Sequence, residues 1–180
     1  MWADGAEDID PETGYATIRS NAQNRYVPNF SYGKGKIVWN FESVNMPAGT
    51  DGFLYLNGDT WHWNGAANGA GWIQIRIYPQ DSTTKSSFKL HYDWTAEEFT
   101  LEESMNDIKT IELDTKVDPE DATKVNVTFS INGKVYYSGK KHNAFDLDGH
   151  KGVIFYSGFS GPFSPECTIV FKSLDYEVYE

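Results

Sequence analysis

A strict two-residue alternation runs through residues 72–78 and constrains the fold more than any other feature of the sequence. Successive side chains of a β-strand point to opposite faces of a sheet, so such a segment predicts a strand with two chemically different faces. One face carries isoleucine at positions 73, 75 and 77. The other face carries two aromatic rings, an amide and a guanidinium: Trp72, Gln74, Arg76 and Tyr78. The segment therefore predicts a strand with its isoleucine face in an apolar core.

The second face of this strand differs from an ordinary solvent-facing surface, which would carry Lys, Glu, Thr or Ser. Aromatic rings pack against the C–H faces of sugars, and planar amide and guanidinium groups pair with sugar hydroxyls. A loop just upstream adds Trp61, Trp63 and Asn64. Together these residues predict a sugar-binding surface. The alternative is a strand buried on both faces, with its two rings in the core and its guanidinium in an ion pair.

The clearest signal of local fold is a hairpin in the C-terminal half. Asn132-Gly133 separates two strand-like runs, 125–131 and 134–138, and an Asn-Gly pair suits a type I′ turn because both central residues need positive φ. Roughly ten short strand patterns with turn residues between them predict an all-β fold, an antiparallel two-sheet β-sandwich or jelly roll. Residues 95–105, which carry acids in their first turns, predict the one helix.

Length and charge restrict the organisation and the partners of the chain. The 180 residues suit a single domain at 15–180, and the acidic, proline-containing start at 1–14 suits a leader or linker. A net charge of −11 disfavours nucleic acid, anionic membranes and polyanionic sugars. The sequence has neither an apolar run of membrane-spanning length nor the pattern of a signal peptide. With Cys167 as the single cysteine, no intrachain disulfide forms, and we expect this thiol to be buried.

The C-terminal third resembles the concanavalin A-like lectin/glucanase superfamily, which includes laminin G-like domains and carbohydrate-binding modules. The resemblance lies in the hairpin at 125–135, in the glycine-led strand at 152–156 and in the closing strand at 174–179. It implies two curved antiparallel sheets, with ligands on the concave sheet or at loops along one edge. Glucanases of this superfamily carry clustered acids in alternating register on one strand. The nearest match here is Glu112-Leu113-Asp114, and Lys116 replaces the third acid.

A structural calcium ion is the one metal that we consider, because β-sandwich modules often tie the N-terminal segment to the last strand through such an ion. Asp175, together with Asp4 or Glu7, is the candidate ligand set. The alternative is that these acids bind no metal and that the protein has no cofactor.

These observations favour a non-catalytic carbohydrate-binding module for a neutral β-linked polysaccharide, a monomeric and extracellular part of a larger chain. Two other functions stay open. One is an enzyme of the same fold, either a glycoside hydrolase, which needs a pair of carboxylates across a cleft, or a polysaccharide lyase; the other is a protein-adhesion domain that uses the same aromatic surface.

Overall fold

A computed structural model describes residues 8–19, 23–26, 34–47, 49–50, 52–59, 72–90, 96–142, 154–160 and 167–179. Almost all regular structure within these ranges is β-strand. The strands are β1 Asp8–Ile9, β2 Ala16–Arg19, β3 Gln23–Tyr26, β4 Lys34–Asn45, β5 Phe53–Asp59, β6 Trp72–Ile77, β7 Ser86–Leu90, β8 Glu97–Phe99, β9 Thr110–Val117, β10 Lys124–Ile131, β11 Lys134–His142, β12 Ile154–Ser160 and β13 Thr168–Val178. A short 3-10 helix, Met105–Asp107, precedes β9.

The strands form two antiparallel sheets. The first sheet has seven strands in the order β1-β2-β13-β4-β9-β10-β11, and the second has six in the order β3-β12-β5-β6-β7-β8. The alternating strand that the sequence predicts at 72–78 is β6, which lies between β5 and β7 in the six-stranded sheet. The all-β, two-sheet architecture confirms the predicted fold class.

The hydrophobic core lies between the two sheets and follows the alternation of their strands. Ile75 and Ile77 of β6 are fully buried, as are Val125, Phe129 and Ile131 of β10. The rings of Phe88, in the six-stranded sheet, and Phe129, in the seven-stranded sheet, stack at 5.1 Å with 5° between their planes. Aromatic pairs of this kind stabilise a fold by about 0.5–1.5 kcal/mol beyond the burial of their area, so this stack helps to join the two layers.

The hairpin between β10 and β11 is confirmed. Ile131 pairs with Lys134, and the two residues between them have positive φ, 49° at Asn132 and 77° at Gly133. The Asn132 side chain also fixes the segment that leads into β9. Its Oδ1 accepts hydrogen bonds from the backbone N–H of Lys109 at 2.7 Å and of Thr110 at 3.0 Å. The turn therefore organises a neighbouring strand as well as its own hairpin.

The predicted helix at 95–105 is wrong, because this segment contains β8 and leads into the short 3-10 helix. Glu97 and Phe99, two residues apart, both contact the opposite sheet: the Glu97 carboxylate lies 2.7 Å from Lys141 Nζ, and the Phe99 ring packs on Phe129 and Tyr136. Contacts at a spacing of two require an extended backbone. Tertiary packing therefore outweighs the helical preference of an acidic first turn.

Strand β1 pairs with β2, with Asp8 opposite Thr17 and Ile9 opposite Ala16. Residues 8 and 9 therefore belong to the seven-stranded sheet, although they precede residue 15, where the sequence predicts that the domain begins. The division into a leader and one domain stays a prediction. Cys167 is fully buried, as expected. Within the described ranges, no helix has the length and apolar character needed to cross a membrane.

Candidate functional site

The side of the six-stranded sheet that faces away from the core is the candidate site. On β5, β6 and β7 the buried residues Leu54, Leu56, Ile75, Ile77 and Phe88 alternate with partly buried ones that point the other way. We call the described side chains on that side the outer face: Phe53, Tyr55, Gln74, Arg76, Tyr78, Ser87, Lys89 and Glu98. The predicted two-sided character of the strand at 72–78 is therefore present in the described part of β6.

Strand register arranges the outer face in rows across the sheet. Tyr55 lies opposite Arg76, Arg76 opposite Ser87, and Ser87 opposite Glu98. Gln74 lies opposite Lys89 in the neighbouring row. Because directly opposed side chains stand about 5 Å apart, each row forms a continuous surface of polar and aromatic groups.

Phe53 is the centre of an aromatic cluster on this face. Its ring centroid lies 4.9 Å from that of Tyr78 and 6.4 Å from that of Tyr55. The guanidinium carbon of Arg76 lies 5.0 Å from the centroid of the same ring. Flat rings on adjacent strands of one sheet lose little conformational entropy when a ligand packs on them.

Arg76 has no ion-pair partner among the described residues, so the predicted alternative of an ion pair is not seen in that part of the chain. Its Nε atom is buried and has no hydrogen-bond partner in the described part of the chain. A buried donor without a partner costs about 1–3 kcal/mol. Arg76 therefore combines packing on Phe53 with a polar group whose bonding capacity is unused.

The Tyr55 hydroxyl and the backbone N–H of Tyr78 affect hydrogen bonding at the outer face. Burial raises the pKa of Tyr55, so its phenol is neutral at pH 7 and its hydroxyl both donates and accepts hydrogen bonds. The backbone N–H of Tyr78 donates to Ser86 Oγ at 3.0 Å, which holds the end of β6 against the start of β7. The face thus presents hydroxyl, amide and guanidinium groups beside rings.

Of the residues that the sequence predicts for the site, the structure brings Gln74, Arg76 and Tyr78 together. Trp72 is the first residue of β6, and only its backbone is described. Trp61, Trp63 and Asn64 lie outside the described residues. Phe53 and Tyr55 lie on the same face. The sequence places them just upstream of this strand as an extension of its surface, and their alternation with Leu54 and Leu56 is the signal.

The acids that most resemble a catalytic cluster belong to the other sheet. Glu112 and Asp114 lie on β9, where Lys36 Nζ is 4.0 Å from Glu112 and the Tyr179 hydroxyl donates to Asp114 at 2.8 Å. Burial, followed by the bond to Asp114, raises the pKa of Tyr179 far above its ordinary value. These acids take part in a polar network on the outside of the seven-stranded sheet.

Acids in alternating register are also missing from the described part of β6. Its outward positions carry Gln74 and Arg76, followed by Tyr78. Among the side chains described on the outer face, Glu98 on the edge strand β8 is the single carboxylate. The pair of facing carboxylates that glycoside hydrolysis requires is therefore not found in this part of the structure.

The described residues do not assemble a calcium site. No group of three or more His, Cys, Asp or Glu side chains within the described ranges is placed to hold a metal ion. The Asp175 carboxylate accepts a hydrogen bond from Asn40 Nδ2 at 2.8 Å, and Asp4 and Glu7 lie outside the described residues. A calcium ion at Asp175 stays a prediction.

No protein-family model and no curated protein matches this chain, but solved structures do. A Bacillus licheniformis β-glucanase is 12% identical with a TM-score of 0.56, over 98% of this chain and 90% of that one. The metal-free carbohydrate recognition domain of Emp46p is 10% identical with a TM-score of 0.54, over 98% and 97%. Rv0315 of Mycobacterium tuberculosis, a pseudo β-1,3-glucanase, is 12% identical with a TM-score of 0.59, over 93% and 76%.

These likenesses show the fold of the chain. It is a two-sheet antiparallel β-sandwich like that of the β-glucanase and of the carbohydrate recognition domain, which is the fold that the resemblance of the C-terminal residues implied. At 10–12% identity the likeness concerns the fold. The activity has to be argued from the residues of the outer face.

Proposed function

We propose that this chain is a non-catalytic carbohydrate-binding module that recognises a neutral β-linked polysaccharide on its outer face. The observation that carries the proposal is the outward row of β6, in which Gln74, Arg76 and Tyr78 stand beside the rings of Phe53 and Tyr55. Rings accept the C–H faces of sugars, while the amide and guanidinium groups donate to their hydroxyls.

The same row supports binding over hydrolysis. Hydrolysis of a glycosidic bond uses two carboxylates, one as an acid and one as a base or nucleophile. The outward positions of β6 offer an amide, a guanidinium and a phenol instead, and none of these replaces an ionised carboxylate. The comparison with a carbohydrate recognition domain and a pseudo-glucanase supports a binding role for this fold.

The net charge of −11 supports a neutral ligand over a polyanion, because long-range repulsion opposes the accumulation of a negatively charged polymer. We further propose that the chain acts as a monomeric, extracellular module of a larger protein. Trp72, Trp61, Trp63 and Asn64 are proposed to extend the binding surface beyond the described part of the outer face.

A glycoside hydrolase or polysaccharide lyase is the second candidate, and the likeness to a Bacillus licheniformis β-glucanase favours it at the level of the fold. A hydrolase would need a pair of carboxylates from residues outside the described ranges. Release of reducing ends from neutral polysaccharides, or of unsaturated products from alginate or pectate, separates it from a binding module.

Affinity electrophoresis tests the proposal directly. The protein is run through gels that contain mixed-linkage β-glucan, laminarin, xyloglucan, galactomannan, alginate or pectate, and we expect retardation in at least one neutral gel. Arg76→Ala should abolish it, because a guanidinium and its contact with the sugar are lost. Lys172→Ala is the matched control: it removes the same charge from an exposed position on β13 and should leave retardation unchanged.

Trp72→Ala tests the undescribed part of the surface. We expect loss of retardation with little change in the thermal midpoint. A large fall in the midpoint would mean that Trp72 is a core residue. Retardation only in the anionic gels would refute the neutral ligand, and absence of both retardation and product release would favour the protein-adhesion alternative.

A further inference from the structure

A groove at one end of the sandwich has the volume and lining of a small-molecule site. It lies where the connection after β4, the β6–β7 loop and the 3-10 helix meet, and its volume is about 410 Å³. Small-molecule pockets have volumes of about 300–1,000 Å³. The lining residues are Met46, Pro79, Gln80, Asp81, Ser104, Met105 and Asn106.

The groove has an apolar floor. Met46 and Met105 are 4% and 3% exposed, and Pro79 is also buried. Thioether and pyrrolidine groups present C–H and sulfur surfaces without strong hydrogen-bonding atoms. A ligand that packs on this floor therefore needs an apolar side of its own.

The rim is polar and is held in position by hydrogen bonds between the three connections. Asn106 Oδ1 accepts from the backbone N–H of Met46 at 2.8 Å, and Asp81 Oδ2 accepts from that of Gly49 at 3.1 Å. Gln80 Nε2 donates to the backbone oxygen of Glu102 at 3.0 Å. These side chains are thus oriented before any ligand arrives, which lowers the entropy cost of binding.

The bonds that orient the rim leave other polar atoms available. These bonds use one oxygen of Asn106, one oxygen of Asp81 and the nitrogen of Gln80. The Asn106 amide nitrogen, the second Asp81 oxygen and the Gln80 oxygen make no hydrogen bond to the described residues. One donor and two acceptors therefore border one apolar floor. Adjacent hydroxyl groups on a ring, each of which donates and accepts, match this arrangement.

We propose that this groove is a second carbohydrate site, which takes one neutral sugar ring, such as a chain end or a branch. The C–H side of the ring would lie on Met46, Pro79 and Met105, with its hydroxyls on Asp81 and Asn106. A carboxylate on the rim disfavours anionic ligands. The site goes beyond the proposed function, because no residue of the outer face lines it.

Near-isosteric substitutions test the groove without breaking its loops. Asp81→Asn keeps an oxygen for the N–H of Gly49 but removes the carboxylate, and Asn106→Asp keeps an oxygen for the N–H of Met46 but removes the amide donor. Asp107→Asn is the matched control, since Asp107 is an exposed neighbour that does not line the groove. Equal thermal midpoints would show that all three variants fold.

The readout is the set of NMR chemical-shift changes in the ¹⁵N-labelled protein during titration with glucose, galactose, mannose, xylose and glucosamine. We expect at least one neutral sugar to shift the backbone signals of 79–81 and 104–106 and the side-chain amide of Asn106. Each groove variant should weaken this binding about tenfold, as the loss of one good hydrogen bond predicts, while the control should not.

Arg76→Ala separates the two sites: groove shifts that persist in this variant support a site independent of the outer face, and groove shifts that disappear with Arg76 would overturn that independence. Titrations in which all five sugars leave 79–81 and 104–106 unshifted would overturn the second site, even if polysaccharide retardation on the outer face is intact. Binding of glucosamine without any neutral sugar would overturn the assigned ligand class.

Discussion

Arg76 is the residue at which stability and function should separate most clearly. Replacement by methionine preserves a long side chain over the Phe53 ring and removes both the charge and the buried Nε donor. If the guanidinium contacts the ligand and does not stabilise the fold, Arg76→Met should abolish polysaccharide binding without a loss of stability. An arginine with a structural role would show the opposite result.

The magnitude follows from two opposing contributions. Removal of a buried N–H without a partner stabilises the fold by about 1–3 kcal/mol, and loss of the guanidinium–aromatic contact destabilises it by about 0.5–1 kcal/mol. The net expectation is a gain of about 0–2.5 kcal/mol. For a chain of this length each kcal/mol corresponds to about 2–4 °C in the thermal midpoint.

Urea unfolding followed by tryptophan fluorescence, together with calorimetry, measures this change. Arg76→Lys provides a second variant, which keeps a positive charge but lacks the planar fork and the Nε donor, so it should retain stability and lose most binding. Lys172→Met controls for the loss of one charge. If Arg76→Met lowers the free energy of unfolding by more than about 1 kcal/mol, Nε has a structural partner and the argument for ligand contact fails.

Three further predictions concern the fold. Glu97→Gln should lower the free energy of unfolding by about 1–3 kcal/mol, because the buried Lys141 loses its carboxylate at the edge between the sheets; an unchanged urea midpoint would contradict this. The Lys140 ammonium holds the pKa of Asp118 below its usual range. The Lys140–Asp118 interaction therefore stabilises the fold above the unfolded pKa of about 3.9, and its contribution is lost as the pH falls through the folded pKa. Asp118→Asn should flatten the loss of stability below about pH 4, and an unaltered acid profile would refute this role. Gly133→Ala should lower the free energy of unfolding in urea by about 1–2 kcal/mol from backbone strain alone, because φ is 77° and, apart from the adjoining residues, no atom of the described residues lies within 4 Å of the added methyl; a larger loss would show steric conflict.

The candidate site was partly predictable because a strand displays its period directly. Gln74, Arg76 and Tyr78 are separated by buried isoleucines, so their common face could be deduced from spacing alone. The neighbours across that face could not be deduced this way. Tyr55 stands opposite Arg76, and Phe53 packs under the guanidinium, because of the pairing of β5 with β6, which spacing does not specify.

The role of the acids depended on position in the fold. Glu112 and Asp114 have the alternation of a catalytic pair in sequence, yet β9 belongs to the seven-stranded sheet, where Lys36 and Tyr179 contact them. The choice of sheet depends on long-range pairing with β4 and β10. The predicted helix at 95–105 illustrates the same limit, since the extended form of β8 within it follows from contacts with β11 and the core.

The sequence by itself determined the strands with clear alternation, the Asn132-Gly133 turn and the two-sided character of β6, because backbone geometry imposes a period of two and a positive φ locally. Tertiary structure alone decided the order of the thirteen described strands in two sheets, the position of the guanidinium over Phe53 and the groove beside Met46 and Met105. These features join residues far apart in the chain. Their free energy comes from packing and hydrogen bonds that exist only once the two sheets meet.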